Sequence, residues 1–270
     1  MRNTAPCILY SSFKISDMDE DAVMIVAPSD HFIENEEKFL KYVQDAFKYC
    51  LESDVLMTLG IEPSEPNTGY GYIQFEAEGG DVKKVLDFTE KPDLATAQKF
   101  LERGDYLWNA GIFIWSVQSI LKAFGSNLPS MYDLFRKGSG SWNSDRERSF
   151  IEENYEASEN ISIDYGIMEK ADNVYVMATE FGWNDLGTWG SLYNKLNKDE
   201  QGNALVNAQA MFRSASRNMV SGPRGKKIVV QGLEDYIIVD TEDTLLIFPK
   251  AEEQSIKEVS KEAESKLGSS

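Results

Sequence analysis

Short apolar runs that alternate with amphipathic stretches over the first two thirds of this 270-residue chain constrain its fold most. Val23-Met24-Ile25-Val26-Ala27 reads as a buried strand stopped by Pro28-Ser29-Asp30. The next stretch carries Phe39, Leu40, Val43, Phe47, Cys50 and Leu51 at helical spacing. Further strands are expected at Val55 to Ile61, Tyr70 to Phe75, Val82 to Phe88, Ile112 to Trp115 and Val174 to Ala178. A turn at Gly79-Gly80 and a helix from Leu94 to Arg103 capped by Gly104 separate some of them, and helices fill the interval to about Ala157. This is the pattern of a mostly parallel sheet covered by helices.

Farther along, the texture changes. Lys227 to Gln231, Tyr236 to Asp240 and Leu245 to Phe248 are β-rich runs split by Gly232 and Glu242-Asp243. They fit hairpins or stacked coils in a small β domain, with the boundary placed near residue 198 and no internal repeat evident. Ser221-Gly222-Pro223-Arg224-Gly225-Lys226-Lys227 is glycine-rich but lacks phosphate-loop spacing, so it reads as a turn. The tail from Ala251 to Lys266 reads as an amphipathic helix, with Ile256, Val259 and Ala263 on one stripe and Glu253/Lys257 and Glu262/Lys266 as pairs.

The net charge of −18 argues against a nucleic-acid partner, because a phosphate backbone requires clustered Lys and Arg. It leaves room for a small phosphorylated substrate met by one or two cations and a metal ion. No apolar run has the length of a membrane span, and the MRNTAPCILYSS start lacks the apolar stretch of a secretory signal. A cytoplasmic location without a membrane partner is the expectation. Cys7 and Cys50 lie among apolar residues and read as reduced core thiols. Oligomeric state stays open, a homodimer included.

Several segments carry groups suited to chemistry. Asp30 follows a strand at the carboxyl edge, where ligands bind in open α/β sheets and a carboxylate suits Mg²⁺. Taken alone, Asp30 is better explained as a turn residue bonding its own backbone. Asp185, within Phe181-Gly182-Trp183-Asn184-Asp185-Leu186-Gly187-Thr188-Trp189, also follows a strand, and a metal ligand or a structural turn fits it equally. In Phe88-Thr89-Glu90-Lys91-Pro92, Glu90 can accept from sugar hydroxyls while Lys91 meets a phosphate. Adjacent strand residues point to opposite faces, so the two need not pair. Asn109 in Trp108-Asn109-Ala110-Gly111, at a strand entrance, offers both donor and acceptor. The backbone around Gly69, Tyr70 and Gly71 could face a ligand hydroxyl, or form an ordinary turn. His31, the only histidine, reads as a structural neighbour of Asp30 and excludes a multi-His zinc site.

PSDH, TGYG, FTEKP, WNAGIFIW, SIDYGIMEK and FGWNDLGTW stand here in the order in which their counterparts occur in mannose-1-phosphate guanylyltransferases. The chain resembles that family from residue 2 to about 257. The resemblance implies an α/β, Rossmann-like, glycosyltransferase-A-like nucleotidyltransferase fold with a mixed sheet. It would lack its first strands and carry a small C-terminal β domain and tail helix, giving domains 1–198 and 199–270. It implies GTP and mannose 1-phosphate as substrates, GDP-mannose and pyrophosphate as products, and Mg²⁺ held by Asp30 and Asp185. Glu90, Asn109 and Gly69 to Gly71 would hold the mannose, Lys91 its phosphate, and Arg2, Asn3, Thr4 and Ala5 the guanine side. The family's opening Gly-rich loop with Arg and its Pro-Lys-Gln-Phe segment have no counterpart here. The expectation is therefore that the chain as written does not turn over GTP. Two alternatives remain: a nucleotidyltransferase for another hexose 1-phosphate, and a non-catalytic remnant that binds sugar phosphate or assembles with partners.

Overall fold

A computed structural model describes residues 2–78 and 80–268, so Gly79 of the expected Gly79-Gly80 turn lies outside the described residues. The chain forms two compact units, one of residues 1–29 and 33–183, the other of residues 30–32 and 184–270.

The first unit opens with a helix that the apolar pattern did not reveal, α1 (Thr4–Met18). Asn3 caps it through its side chain, and Ala5, Ile8, Leu9 and Ser12 bury one face at helical spacing. There follow β1 (Val23–Val26), β2 (Phe32–Ile33), α2 (Glu36–Glu52), β3 (Leu56–Ile61), β4 (Gly71–Phe75), β5 (Val82–Glu90), α3 (Leu94–Arg103) and β6 (Tyr106–Ser116). Helices α4 (Val117–Asn127), α5 (Pro129–Arg136) and α6 (Glu147–Asn154) precede a 3₁₀ turn (Tyr155–Ala157) and a π-helical turn (Asp164–Met168). The unit ends with β7 (Val174–Thr179) and the start of β8 (Trp183–Asn184). Helix α3 ends as the sequence predicts, with Gly104 in the left-handed region at φ 71°.

Six strands form one sheet in the order β1-β6-β3-β7-β5-β4, and β4 also pairs with β6. The sheet is mixed rather than mostly parallel. Among the described residues, β3 and β7 are its one parallel neighbouring pair. Apolar runs alone do not reveal strand direction. Strand β1 is an edge strand with Ile25 exposed, not the strand buried on both faces that its composition suggests. Side chains alternate between two cores. Leu56 and Val176 join α1, α4 and α5 on one face, whereas Met57, Leu59 and Met177 join α2 and α3 on the other.

Cys50 is in the second core, where burial pushes its thiol up to about 12, and Cys7 is exposed rather than buried. Neither is in a disulfide.

Glu147 on α6 ties α1 down by accepting from Lys14 Nζ at 2.7 Å, from the Tyr10 hydroxyl, and from the Asn143 N–H at 2.7 Å. The Lys14 hydrogen bond, then that of Tyr10, draws its carboxyl from 4.5 down to about 2. A depressed carboxyl contributes stability that is present above the unfolded value and lost as pH falls towards the folded one. Glu147→Gln is therefore expected to lower stability by about 1–2 kcal/mol at neutral pH. The deficit should close as pH falls from 4.5 to about 2, as urea denaturation across that range would read. A deficit that does not change with pH would refute the ionic origin.

The second unit contains α7 (Trp189–Lys195), β9 (Ala204–Val206), β10 (Gln209–Arg213), β11 (Met219–Ser221), β12 (Lys227–Gln231), β13 (Tyr236–Asp240) and β14 (Leu245–Pro249). A 3₁₀ segment (Lys250–Ser255) and α8 (Ile256–Leu267) complete it. Helix α7 belongs here although its sequence texture continues that of the first unit. Its Tyr193 hydroxyl donates to Gly202 O at 2.6 Å, and the Gly190 N–H donates to Glu253 Oε2 at 2.6 Å.

Of the two arrangements left open for the β runs, stacked coils predominate. Strands β9, β11 and β13 run parallel with Ala204, Met219 and Ile237 in one row, and β10 runs parallel to β12. Strands β13 and β14 form an antiparallel hairpin. The coils stack at equivalent positions although no repeat is evident in the sequence. Asn203 Oδ1 accepts from the Asn218 N–H at 3.0 Å, and Asn218 Oδ1 accepts from the Tyr236 N–H at 2.9 Å, so each asparagine bonds the equivalent residue of the next coil. Val220, Val230, Ile238 and Ala215 form the interior. The Pro223 to Lys226 segment is the turn that was expected, closed by the Lys226 N–H on Pro223 O at 3.1 Å.

Candidate active site

Strand β5 ends at Glu90, and the next residue leaves the strand in a left-handed conformation. Lys91 has φ 48°, rare for a residue with a side chain, and its N–H donates to Tyr70 O at 3.2 Å. This turn brings the Lys91 ammonium back onto Glu90 Oε1 at 2.7 Å. The expectation that the two need not pair assumed strand alternation through both residues, and the turn removes that premise. The Glu90 side chain is largely buried, while that of Lys91 stays mostly exposed. The hydrogen bond to Glu90 raises the Lys91 ammonium above its ordinary range.

Gly71 faces Glu90 across the β4–β5 ladder, and a Cβ there would collide with Glu90 Oε2. The glycine thus makes room for a carboxylate. Gly69 does something else, since its N–H donates to Asn67 Oδ1 at 2.7 Å and closes a local turn. The Tyr70 ring is buried edge-on against Trp108 and Trp183, while its carbonyl accepts the Lys91 N–H. If Glu90 holds a sugar phosphate as the resemblance implies, Gly71→Ala is expected to displace its carboxylate and weaken that binding by roughly tenfold, with stability lowered by about 1 kcal/mol or less. Calorimetric titration beside a thermal melt checks this. Unchanged affinity would show that Glu90 is not at the ligand.

Asn109 lies inside β6 rather than at its entrance. The register with β3 shifts between Thr58 and Gly60, and Gly111 takes φ 67°, so Asn109, still paired with Gly60, borders a bulge at residues 110–112. Its Oδ1 accepts from the Gly111 N–H at 3.0 Å and from the buried Thr58 hydroxyl at 3.2 Å. Its Nδ2 donates to Asp164 Oδ1 at 3.0 Å. Burial first, and Glu90 next, raise the Asp164 carboxyl, while Asn109 and Lys91 oppose the rise. Glu90, Lys91, Asn109 and Asp164 therefore form one electrostatic cluster beside Gly71. Sequence reasoning assigned no role to Asp164. The available signal was its place in the SIDYGIMEK motif, but the π-helical turn that aims it is not readable from residue spacing.

Residues 2–5 brace this region. Arg2 donates to Glu156 O, the Ala5 N–H donates to Ile161 O at 3.2 Å, and Thr4 Oγ1 accepts from the Ile163 N–H at 2.9 Å. Asn3 is the left-handed cap residue of α1. The Ala5 side chain is fully buried and so has no surface to offer a base.

Asp30 and Asp185 fall in the second unit. Strands β2 and β8 pair as a two-stranded sheet. It continues through the Glu34 N–H on Gly182 O and the Asn35 N–H on Phe181 O, with partner numbers falling as chain numbers rise. That antiparallel sense puts Asp30 and Asp185 at the same end of the ribbon. Asp30 is exposed and His31 half-buried. Asp185 Oδ1 accepts from the Gly187 N–H at 3.0 Å, so the carboxylate does form the local turn. Among the described residues no cluster of three or more His, Cys, Asp or Glu side chains could hold a metal ion. Two carboxylates nevertheless suit Mg²⁺, which commonly takes one or two from protein and the rest from phosphates and water.

A mixed α/β sheet with this cluster places the chain in a known class: residues 1–202 match the family model described as nucleotidyl transferase, and the chain belongs to that family. Its relatives narrow the comparison. The chain is 35% identical over 96% of its length to the xanthan biosynthesis protein XanB of Xanthomonas campestris pv. campestris, covering 54% of that protein. It is 34% identical over 96% of its length to a mannose-1-phosphate guanylyltransferase of Salmonella montevideo, covering 55% of it. The chain thus spans about half the length of the curated relatives it matches. Among solved structures, one described as mannose-1-phosphate geranyltransferase from Thermus thermophilus superposes with a TM-score of 0.83. Identity is 27%, over 97% of this chain and 76% of that one. No helix among the described residues is long and apolar enough to cross a membrane.

Proposed function

We propose that this protein serves guanylyl transfer from GTP to mannose 1-phosphate, giving GDP-mannose and pyrophosphate. The observation that carries the reading is the convergence of Glu90, Lys91, Asn109 and Gly71 on one site, with the Lys91 ammonium paired to a carboxylate there. A sugar phosphate is already ionised at neutral pH, so its attack on an α-phosphate needs no general base. Catalysis then consists of positioning and charge neutralisation. In the ligand-free state Lys91 rests on Glu90. An arriving phosphate competes for that ammonium, and the carboxylate it leaves can accept from sugar hydroxyls. Asp30 and Asp185 would hold Mg²⁺, which when bound would supply positive charge for phosphate groups. Residues Arg2 to Thr4 are assigned to the guanine side by family resemblance.

The names of the relatives favour mannose over other hexoses. The test is pyrophosphate release with GTP, Mg²⁺ and a panel of hexose 1-phosphates, with binding measured alongside. Glucose 1-phosphate preferred over mannose 1-phosphate would overturn the sugar assignment. Binding without turnover, both in this chain and in a form that carries the family's opening Gly-rich loop, would favour a non-catalytic sugar-phosphate binder.

A further inference from the structure

We propose that Asp164 is a positioning residue that holds the Asn109 carboxamide in place for the sugar ring, a role resting on the sugar 1-phosphate reading above. Asn109 has a carbonyl oxygen and two amide hydrogens to offer. The Gly111 N–H and the Thr58 hydroxyl take up the oxygen, which fixes which end of the amide faces them. Asp164 Oδ1 then takes one hydrogen of Nδ2 and fixes the plane of the group. One N–H remains for a ligand hydroxyl. Without Asp164 the amide is tethered at its oxygen alone and rotates about χ2, which is a broad torsion.

Asp164 is itself held by backbone. It opens the π-helical turn, with the Glu169 N–H on its carbonyl at 3.0 Å. The residue before it is pinned by Thr4, and Ile161 by Ala5. Wide turns of this type occur often at functional sites. Asp164 also shares its surroundings with Glu90 and Lys91, so a shift of the carboxylate is felt by the groups assigned to the sugar and the phosphate.

Two measurements test the proposal. The first needs no ligand: the Asn109 side-chain amide signals in a ¹H–¹⁵N spectrum. They should be slow to exchange in the wild type and in Asp164→Asn, whose Oδ1 still accepts, and fast to exchange in Asp164→Leu. The second is titration with mannose 1-phosphate and with inorganic phosphate. Asp164→Leu and Asn109→Ala should each weaken the sugar phosphate by roughly tenfold. The double variant should be no worse than either single one within about twofold, since both act through one group. Asp164→Asn should bind no more than about threefold more weakly than wild type, and none of the variants should weaken inorganic phosphate by more than about twofold. If Asp164→Leu does not fold, Asp164→Ser, too short to reach Nδ2, replaces it. Additive losses, or Asp164→Asn as damaged as Asp164→Leu, would overturn the proposal. A wild-type chain that binds no sugar 1-phosphate would overturn the functional reading instead, and the positioning claim would then be decided by the amide signals.

Discussion

On the guanylyl-transfer reading proposed above, replacing Lys91 with methionine in a form that carries the family's opening Gly-rich loop is expected to lower kcat/KM by about three orders of magnitude, the scale seen when a preorganised charge is removed from a phosphoryl-transfer site. The ammonium is the cation of the Glu90, Asn109 and Asp164 cluster, so methionine leaves the two carboxyls without their positive neighbour. Both carboxyls then repel an incoming phosphate. Arginine is not expected to rescue, because its planar fork does not replace a compact ammonium on a strained turn. Glu90→Gln should lower kcat/KM less, and part of its loss should come from releasing Lys91, so the two variants should not be additive. The informative control is Lys91→Gly. Glycine suits φ 48° without strain, so its Tm should equal or exceed that of wild type while transfer is lost. Steady-state kinetics and a thermal melt on the same preparations decide the matter. A Lys91→Met protein with kcat/KM within about tenfold of wild type would remove Lys91 from the mechanism.

The strands and most helices of the first unit were legible because burial on two faces of a sheet leaves apolar runs bounded by turn residues. Helix α1 was not legible, since its buried face includes Ser12, Ala5 and a proline, which do not read as an apolar stripe. Glu90, Lys91, Asn109 and Gly71 were grouped around one ligand by the order of the motifs, and the fold does bring them together. How each is held was not readable there. The Glu90–Lys91 pair depends on a left-handed backbone at a lysine, Asn109 on a two-residue register shift, and Gly71 on the reach of a carboxylate from the next strand. Local propensity carries no signal for any of these, because tertiary context imposes them. Asp164 is the same case, aimed by a turn whose width is set by packing. The parallel coils were hidden for another reason. Their equivalent positions, Asn203, Asn218 and Tyr236, are unevenly spaced and chemically unlike, so no periodic motif marks them.

The asparagines that join those coils support the second large expectation: Asn218→Ala should destabilise the second unit by about 3 kcal/mol or more. Asn218 is fully buried, and its side chain bonds three partners. Nδ2 donates to Leu233 O at 2.8 Å and to Asn203 Oδ1 at 3.1 Å, while Oδ1 accepts from the Tyr236 N–H at 2.9 Å. Alanine leaves the Tyr236 N–H without its side-chain acceptor and the Leu233 carbonyl with the Ser216 N–H alone, and an orphaned donor withdrawn from water costs about 1–3 kcal/mol. The space it vacates adds a further penalty. A shorter ladder remains, since the Asn218 backbone N–H still donates to Asn203 Oδ1. Asn203→Ala removes that acceptor and also the bond from Nδ2 to Ala215 O at 3.1 Å, so it should be comparably severe. The double variant should lose less than the sum, because the two side chains share a bond. Asn218→Asp tests chemistry at constant volume. It keeps the acceptor for Tyr236 but replaces the donor to Leu233 with a lone pair or a buried charge, and should be no milder than alanine. Urea denaturation followed by hydrogen exchange at Ala204–Val206, Met219–Ser221 and Tyr236–Asp240 reads the effect where it arises. A loss below about 1 kcal/mol for Asn218→Ala would mean that apolar stacking of Val220, Val230 and Ile238 holds the coils together without the ladder.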